Sequence, residues 1–104
     1  LLNWFRENKE KIHPLVLAVI FHHKFERIHP FMDGNGRTGR MLMNFILMND
    51  KFSPTIIHKR TRKEYLDALR EADECDLWKV NDKYENLINY VVQEFIDTYW
   101  SIFL

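Results

Sequence analysis

Residues 29–40 read His-Pro-Phe-Met-Asp-Gly-Asn-Gly-Arg-Thr-Gly-Arg, and these twelve positions hold all three glycines of the chain. Gly34, Asn35 and Gly36 stand just before a helix start, and glycines permit the positive φ angles that turn successive backbone N–H groups into one concavity. Continued by the free N–H groups and positive end of the helix, such a concavity binds anions. Arg37 and Arg40 lie three residues apart and so share a helix face, which Asn44 continues. Two guanidiniums beside a backbone anion site suit a polyphosphate better than a single carboxylate. Asp33 supplies the oxygen ligand that a phosphate-bound Mg²⁺ takes from protein. His29, at the other end of the loop, is of the class that accepts a proton near neutral pH. Phosphate, metal and base are the chemistry this set can do.

Other readings of the stretch are weaker. Gly34, Gly36 and Gly39 also satisfy G-x-G-x-x-G, but that fingerprint needs a preceding strand and a βαβ unit, whereas a helix precedes this one. A P-loop requires Lys-Ser or Lys-Thr after its second glycine, and none is present. A plain helix-to-helix turn needs no histidine, acid and two arginines together.

The elements that must position these residues read as helices. LLNWFRENKEK has the character of a helix end, with Leu1, Leu2 and Phe5 on one side. Pro14 suits the first position of a second helix, whose apolar residues run through Phe21, Phe25 and Ile28. Pro30 ends it by forcing His29 out of helical geometry. A third helix is expected over Arg37–Met48, and KFSPTIIHK, with its Pro54, as a connector. Thr61 and Glu64 form the T-x-x-E of a capping box before Tyr65, Leu66 and Leu69. Tyr84, Leu87, Ile88, Val91, Val92, Phe95, Ile96 and Tyr99 recur at helical steps, predicting a last helix from about residue 80 onward. The fold class is therefore all-α, a compact bundle of about five helices within one domain spanning residues 1–104.

Composition narrows the partners. The 104 residues are 46% hydrophobic and 29% charged, with fifteen basic residues against fifteen acidic, so no overall field favours nucleic acid or membrane. LVLAVIF at 15–21 is too short to span a bilayer. Cys75 stands alone, which excludes an internal disulfide and suits a reducing, cytoplasmic setting. The first residue is Leu and already helix-like, which leads us to expect a fragment of a longer protein.

His29, Phe31, Asp33, Gly34, Asn35, Gly36, Arg37 and Arg40 match the H-x-F-x-[D/E]-G-N-G-R-x-x-R signature of the Fic-domain family. The spacing of His22, Phe25 and Ile28 and the R-x-x-Y-L-x-A-L at 62–69 are also similar, so the resemblance extends over about residues 12–70. It implies a bundle of the Fic type and an enzyme that transfers AMP from ATP to a Ser, Thr or Tyr hydroxyl of a target protein, releasing pyrophosphate. His29 would be the general base, Asp33 the Mg²⁺ ligand, and Asn35 a contact to the transferred phosphate. Gly34 and Gly36 would form the anion hole, Arg37 and Arg40 would meet the distal phosphates, and Phe31 would be a buried anchor of the loop. The alternatives are a nucleotide-binding Fic module that is inhibited or uses UMP, GMP or phosphate transfer, and a purely structural bundle.

Outside the loop the expectations are plainer. His13, His22 and His23 read as core or surface residues rather than ligands, since no zinc-like spacing accompanies them. Tyr65 begins an apolar face, yet the resemblance makes it a candidate adenine contact. Met41, Met43 and Met48 read as bundle packing, and Tyr99, Trp100 and Phe103 as core or a docking surface. Two features of similar proteins have no match in the sequence: a β-hairpin flap that aligns the target, and an inhibitory helix whose glutamate pairs with the second motif arginine. Both are expected from a missing segment or a partner.

Overall fold

In the computed structural model, which describes residues 1–103 and the side chains of residues 1–100, the chain folds as five α-helices. They are α1 (Leu2–Asn8), α2 (Pro14–Ile28), α3 (Asn35–Asn49), α4 (Arg62–Ala72) and α5 (Glu85–Phe103), with short 3₁₀ turns at Lys59–Thr61 and Asp82–Tyr84. No strand occurs among the described residues. The all-α expectation holds.

The middle of the bundle is α2, which packs along α3 and also meets α1 and α5, while α4 lies on α5. Pro14 starts α2, and His13 caps it by accepting the Leu15 N–H through Nδ1 at 3.1 Å, so His13 has a structural task. Leu17, Ala18, Val19 and Ile20 are all buried, closing against Met43 and Leu47 of α3 and Leu87 and Val91 of α5. In α1 the buried residue is Trp4, whereas Leu2 is exposed, contrary to the face expected there.

Polar side chains from α2 pin the distant loops. Lys24 is fully buried, with its ammonium donating to the carbonyls of Leu77 and Lys79 and lying over the rings of Trp4 and Tyr84. His23 joins the Tyr84 hydroxyl at 2.7 Å and the Asp73 carboxylate at 2.8 Å. Arg27 donates to the carbonyl of Cys75. The stretch from Asp73 to Tyr84 is thereby held to one helix.

Several local expectations are corrected. Thr61 does sit before α4, but its hydroxyl makes no cap bond; it meets the Tyr90 hydroxyl at 2.6 Å and the carbonyl of His58 at 3.2 Å. The capping box fails because tertiary partners take the hydroxyl first. Met43 is core, whereas Met41 and Met48 are exposed, since only the 43, 46, 47 side of α3 turns inward. Helix α3 ends in a left-handed Lys51, with the N–H of Phe52 reaching the carbonyl of Leu47 at 2.8 Å, a closure usually made with glycine. On α5, Ile96, Tyr99 and Trp100 are largely exposed, and the side chain of Phe103 lies outside the described residues.

The connector at 52–58 is irregular, as expected, and its order comes from two polar side chains, half-buried Asn44 and buried Glu94. Asn44 donates to the carbonyl of Thr55 at 3.0 Å and accepts the Thr55 N–H at 2.8 Å. Glu94 of α5 accepts from the backbone and ring of His58. Asn44 therefore braces the connector and does not extend the arginine stripe.

Candidate active site

The site is built where α2 stops and α3 starts. His29 caps α2 in the left-handed region, φ 56° and ψ 57°, with its N–H still bonded to the carbonyl of Phe25 at 3.2 Å. For a residue with a Cβ this conformation costs roughly 1–2 kcal/mol, and such strain gathers at functional positions. Its imidazole is consequently displayed at the surface with no hydrogen-bond partner among the described residues. Gly34, at φ 76°, then turns the chain into α3, a conformation that favours glycine for want of a side chain.

The start of α3 is open. No side chain caps it and no acid occupies its first turn, so the N–H groups of its first residues face outward with the positive end of a fifteen-residue helix. Beside it lies a shallow depression of about 290 Å³ lined by Asp33, Gly34, Arg37, Thr38 and Met41. Asp33 and Arg37 are exposed and bonded to nothing else among the described residues. An anion, a cation and a proton acceptor can all be met at this one helix end.

Two residues of the loop are joined to each other. Asn35 is buried, and its amide is committed to Phe31: Oδ1 accepts the Phe31 N–H at 3.0 Å and Nδ2 donates to the Phe31 carbonyl at 2.8 Å. Its side chain closes the loop into a ring. Phe31 itself is 53% exposed, touching Phe25 at 6.2 Å between ring centroids, so the loop is anchored through the backbone of Phe31 and not by burial of its ring.

Tyr65 lies in the core. It is 3% exposed, and its hydroxyl lies 3.0 Å from Nε2 of His22 and donates to Glu26 at 3.3 Å. The same apolar periodicity that identified its face turns the ring into the core. Arg40 is partly buried and folds back toward the helix start, with Nη1 3.1 Å from where a Gly36 side chain would stand. Arg37 and Arg40 are thus unlike: one free at the rim, one tucked against α2.

Glu26 is the residue that sequence reasoning missed. Burial pushes its carboxyl up to about 7, against the pull of Arg40. Burial likewise holds His22 down at about 4, so its ring is neutral. The available signal was an acid four residues after a histidine on a helix otherwise read as buried.

Five helices around a glycine-rich loop, with a displayed histidine at one end and an uncapped helix start at the other, define the class of this bundle. Residues 1–47 match the model of the Fic/DOC family. The protein adenylyltransferase Fic of Drosophila grimshawi is 45% identical over 71 residues, which is 68% of this chain and 15% of that protein. Its Drosophila melanogaster counterpart is 45% identical over the same length. Among solved structures, a Fic domain containing signaling protein from Bacteroides thetaiotaomicron aligns with a TM-score of 0.84 and 30% identity, covering 92% of this chain and 40% of that one. Fic-1 from C. elegans aligns with a TM-score of 0.75 and 36% identity over 88% of this chain and 26% of its own. The chain belongs to the Fic/DOC family, and it spans about 15% of the length of the curated relatives it matches.

Proposed function

We propose that this chain is the nucleotidyl-transfer core of a protein adenylyltransferase, binding ATP with Mg²⁺ and placing AMP on a Ser, Thr or Tyr hydroxyl of a target protein. The observation that carries the reading is the strained, displayed His29 set beside the uncapped start of α3. Relatives named protein adenylyltransferase support the group transferred.

In the reaction, His29 takes the proton of the target hydroxyl, and the oxygen forms a bond to the α-phosphorus. The bond from that phosphorus to the bridging oxygen breaks, and pyrophosphate leaves with the electron pair. Backbone N–H groups at Gly34 and Gly36 and the start of α3 meet the charge that develops on the transferred phosphate. Arg37 and Arg40 offset charge on the leaving phosphates. Asn35 acts through Phe31, keeping the loop closed.

Asp33 is the carboxylate open to a divalent ion. Among the described residues no group of three or more His, Cys, Asp or Glu side chains could hold a metal by itself. That donor set fits an ion that arrives with the nucleotide and takes most ligands from phosphate and water, where it neutralises phosphate charge.

The test is to incubate the intact protein with α-labelled ATP, Mg²⁺ and lysate. Label is expected to become covalently attached to protein from ATP and not from UTP or GTP. His29→Ala is expected to lower transfer by about 10²- to 10⁴-fold in a single-turnover assay while ATP affinity stays within roughly two-fold. Transfer close to wild type in that variant would overturn the assignment.

A further inference from the structure

We propose that Glu26, which lies outside the loop motif, is a positioning residue for Arg40: its carboxylate draws the guanidinium back over the first turn of α3. The proposal rests on the reading of Arg40 as a phosphate contact.

The geometry comes from what the glycines leave empty. A Cβ at Gly39 would stand 3.0 Å from Cγ of Glu26 and 3.3 Å from the backbone oxygen of His22. A Cβ at Gly36 would stand 3.2 Å from Oε1 of Glu26 and 3.1 Å from Nη1 of Arg40. The Glu26 side chain therefore runs along the glycine face of α3, from Gly39 to Gly36, and ends facing Arg40 across the Gly36 gap. No direct ion pair joins the two among the described residues, yet the charge of Arg40 is felt at the carboxyl. Arginine is long and flexible, and without a restraint its head would sample the solvent around α3.

The carboxylate is itself fixed. Its Oε2 lies 3.2 Å from Nε2 of His22 on the same helix and accepts from the Tyr65 hydroxyl of α4 at 3.3 Å. Arg40 faces the same tyrosine hydroxyl, and Asp73 adds a like charge from the end of α4. Glu26 also lines an open cavity of about 460 Å³ with His23, Arg27, Leu69 and Asp73, which gives protons a route to it. A carboxylate held by α2 and α4 is suited to hold an arginine of α3 still.

The experiment measures Mg²⁺-ATP affinity of the intact protein at pH 8 for the wild type, Glu26→Gln, Arg40→Ala and the double variant, with melting curves to show that each is folded. Glutamine keeps the shape and hydrogen bonding of the acid and removes its charge. Glu26→Gln is expected to weaken binding roughly five-fold in the Arg40 background and not at all in the Arg40→Ala background, the signature of action through the arginine. At pH 6, where Glu26 carries a proton, wild type and Glu26→Gln should converge. Unchanged affinity in Arg40→Ala would refute the phosphate role of Arg40 and leave the rest of the site standing. A weakened Arg40→Ala with an unaffected or tighter-binding Glu26→Gln, or an equal loss in both backgrounds, would overturn the proposal for Glu26.

Discussion

Replacing Glu26 by glutamine should change how stability depends on pH, with a sign fixed by two opposed groups. Glu26 has its carboxyl raised from 4.5 to about 7 by burial, which outweighs the pull of Arg40. The folded state thus holds a proton that the unfolded chain has released, and stability falls as pH rises from about 4.5 to about 7. At about 1.4 kcal/mol per pH unit, and with about a fifth of the side chain exposed to screening solvent, the loss is about 2–3 kcal/mol. His22 works the other way: burial lowers it from 6.5 to about 4, so stability rises with pH between about 4 and 6.5 by a similar amount. The two windows overlap, and in the wild type these contributions largely cancel. Glu26→Gln leaves His22 unopposed. Urea denaturation of both proteins between pH 4.5 and 8 should show the variant gaining about 2–3 kcal/mol on the wild type across that range. A difference that does not change with pH would refute the burial argument for Glu26.

Two further substitutions test the loop. Asn35→Ala removes both bonds to Phe31 and is expected to cost about 1–3 kcal/mol in denaturation while lowering transfer, because the loop opens between His29 and the start of α3. Asp33→Asn should weaken Mg²⁺-ATP far more than metal-free ATP in calorimetry with and without EDTA; equal losses would reduce Asp33 to a brace for the turn.

What was legible in the sequence was local. Pro14 fixed the start of α2, the glycines marked the entry to α3, which begins at Asn35 and so two residues before the expected Arg37, and the three- and four-residue steps of Leu87, Val91 and their neighbours gave the inner face of α5. The loop motif stood out because its residue types are rare together. Illegible were the partners that meet from far along the chain. His22 and Tyr65 are 43 residues apart, and His58 and Glu94 are 36 apart; nothing in either neighbourhood names the other. The same distance separates Thr61 from Tyr90, which takes the hydroxyl that a capping box would use, and hides the bond from Tyr65 to His22. Asn35 and Phe31 are only four apart, yet residue types do not say whether an amide will turn to a ligand or to its own loop.

The hidden partners also show why the site cannot be separated from the core. Hydrogen-bond direction around His22 makes this concrete. Its Nδ1 lies 2.6 Å from the carbonyl of Val19, an atom that can only accept, so the ring proton sits on Nδ1 and Nε2 presents a lone pair. That lone pair and the Oε2 of Glu26 lie together, and the Tyr65 hydroxyl has one proton to offer them. An ionised Glu26 leaves one acceptor short; a protonated Glu26 satisfies both. Burial and this shortage act in the same direction, and Arg40 opposes them. An ionised Glu26 that holds Arg40 ready for phosphate binds nucleotide more tightly than a protonated one, so by linkage nucleotide binding should be accompanied by proton release from Glu26 near neutral pH. The glycine face of α3 thereby links packing to chemistry: the space that lets α2 and α3 approach is the space in which the acid and the arginine meet.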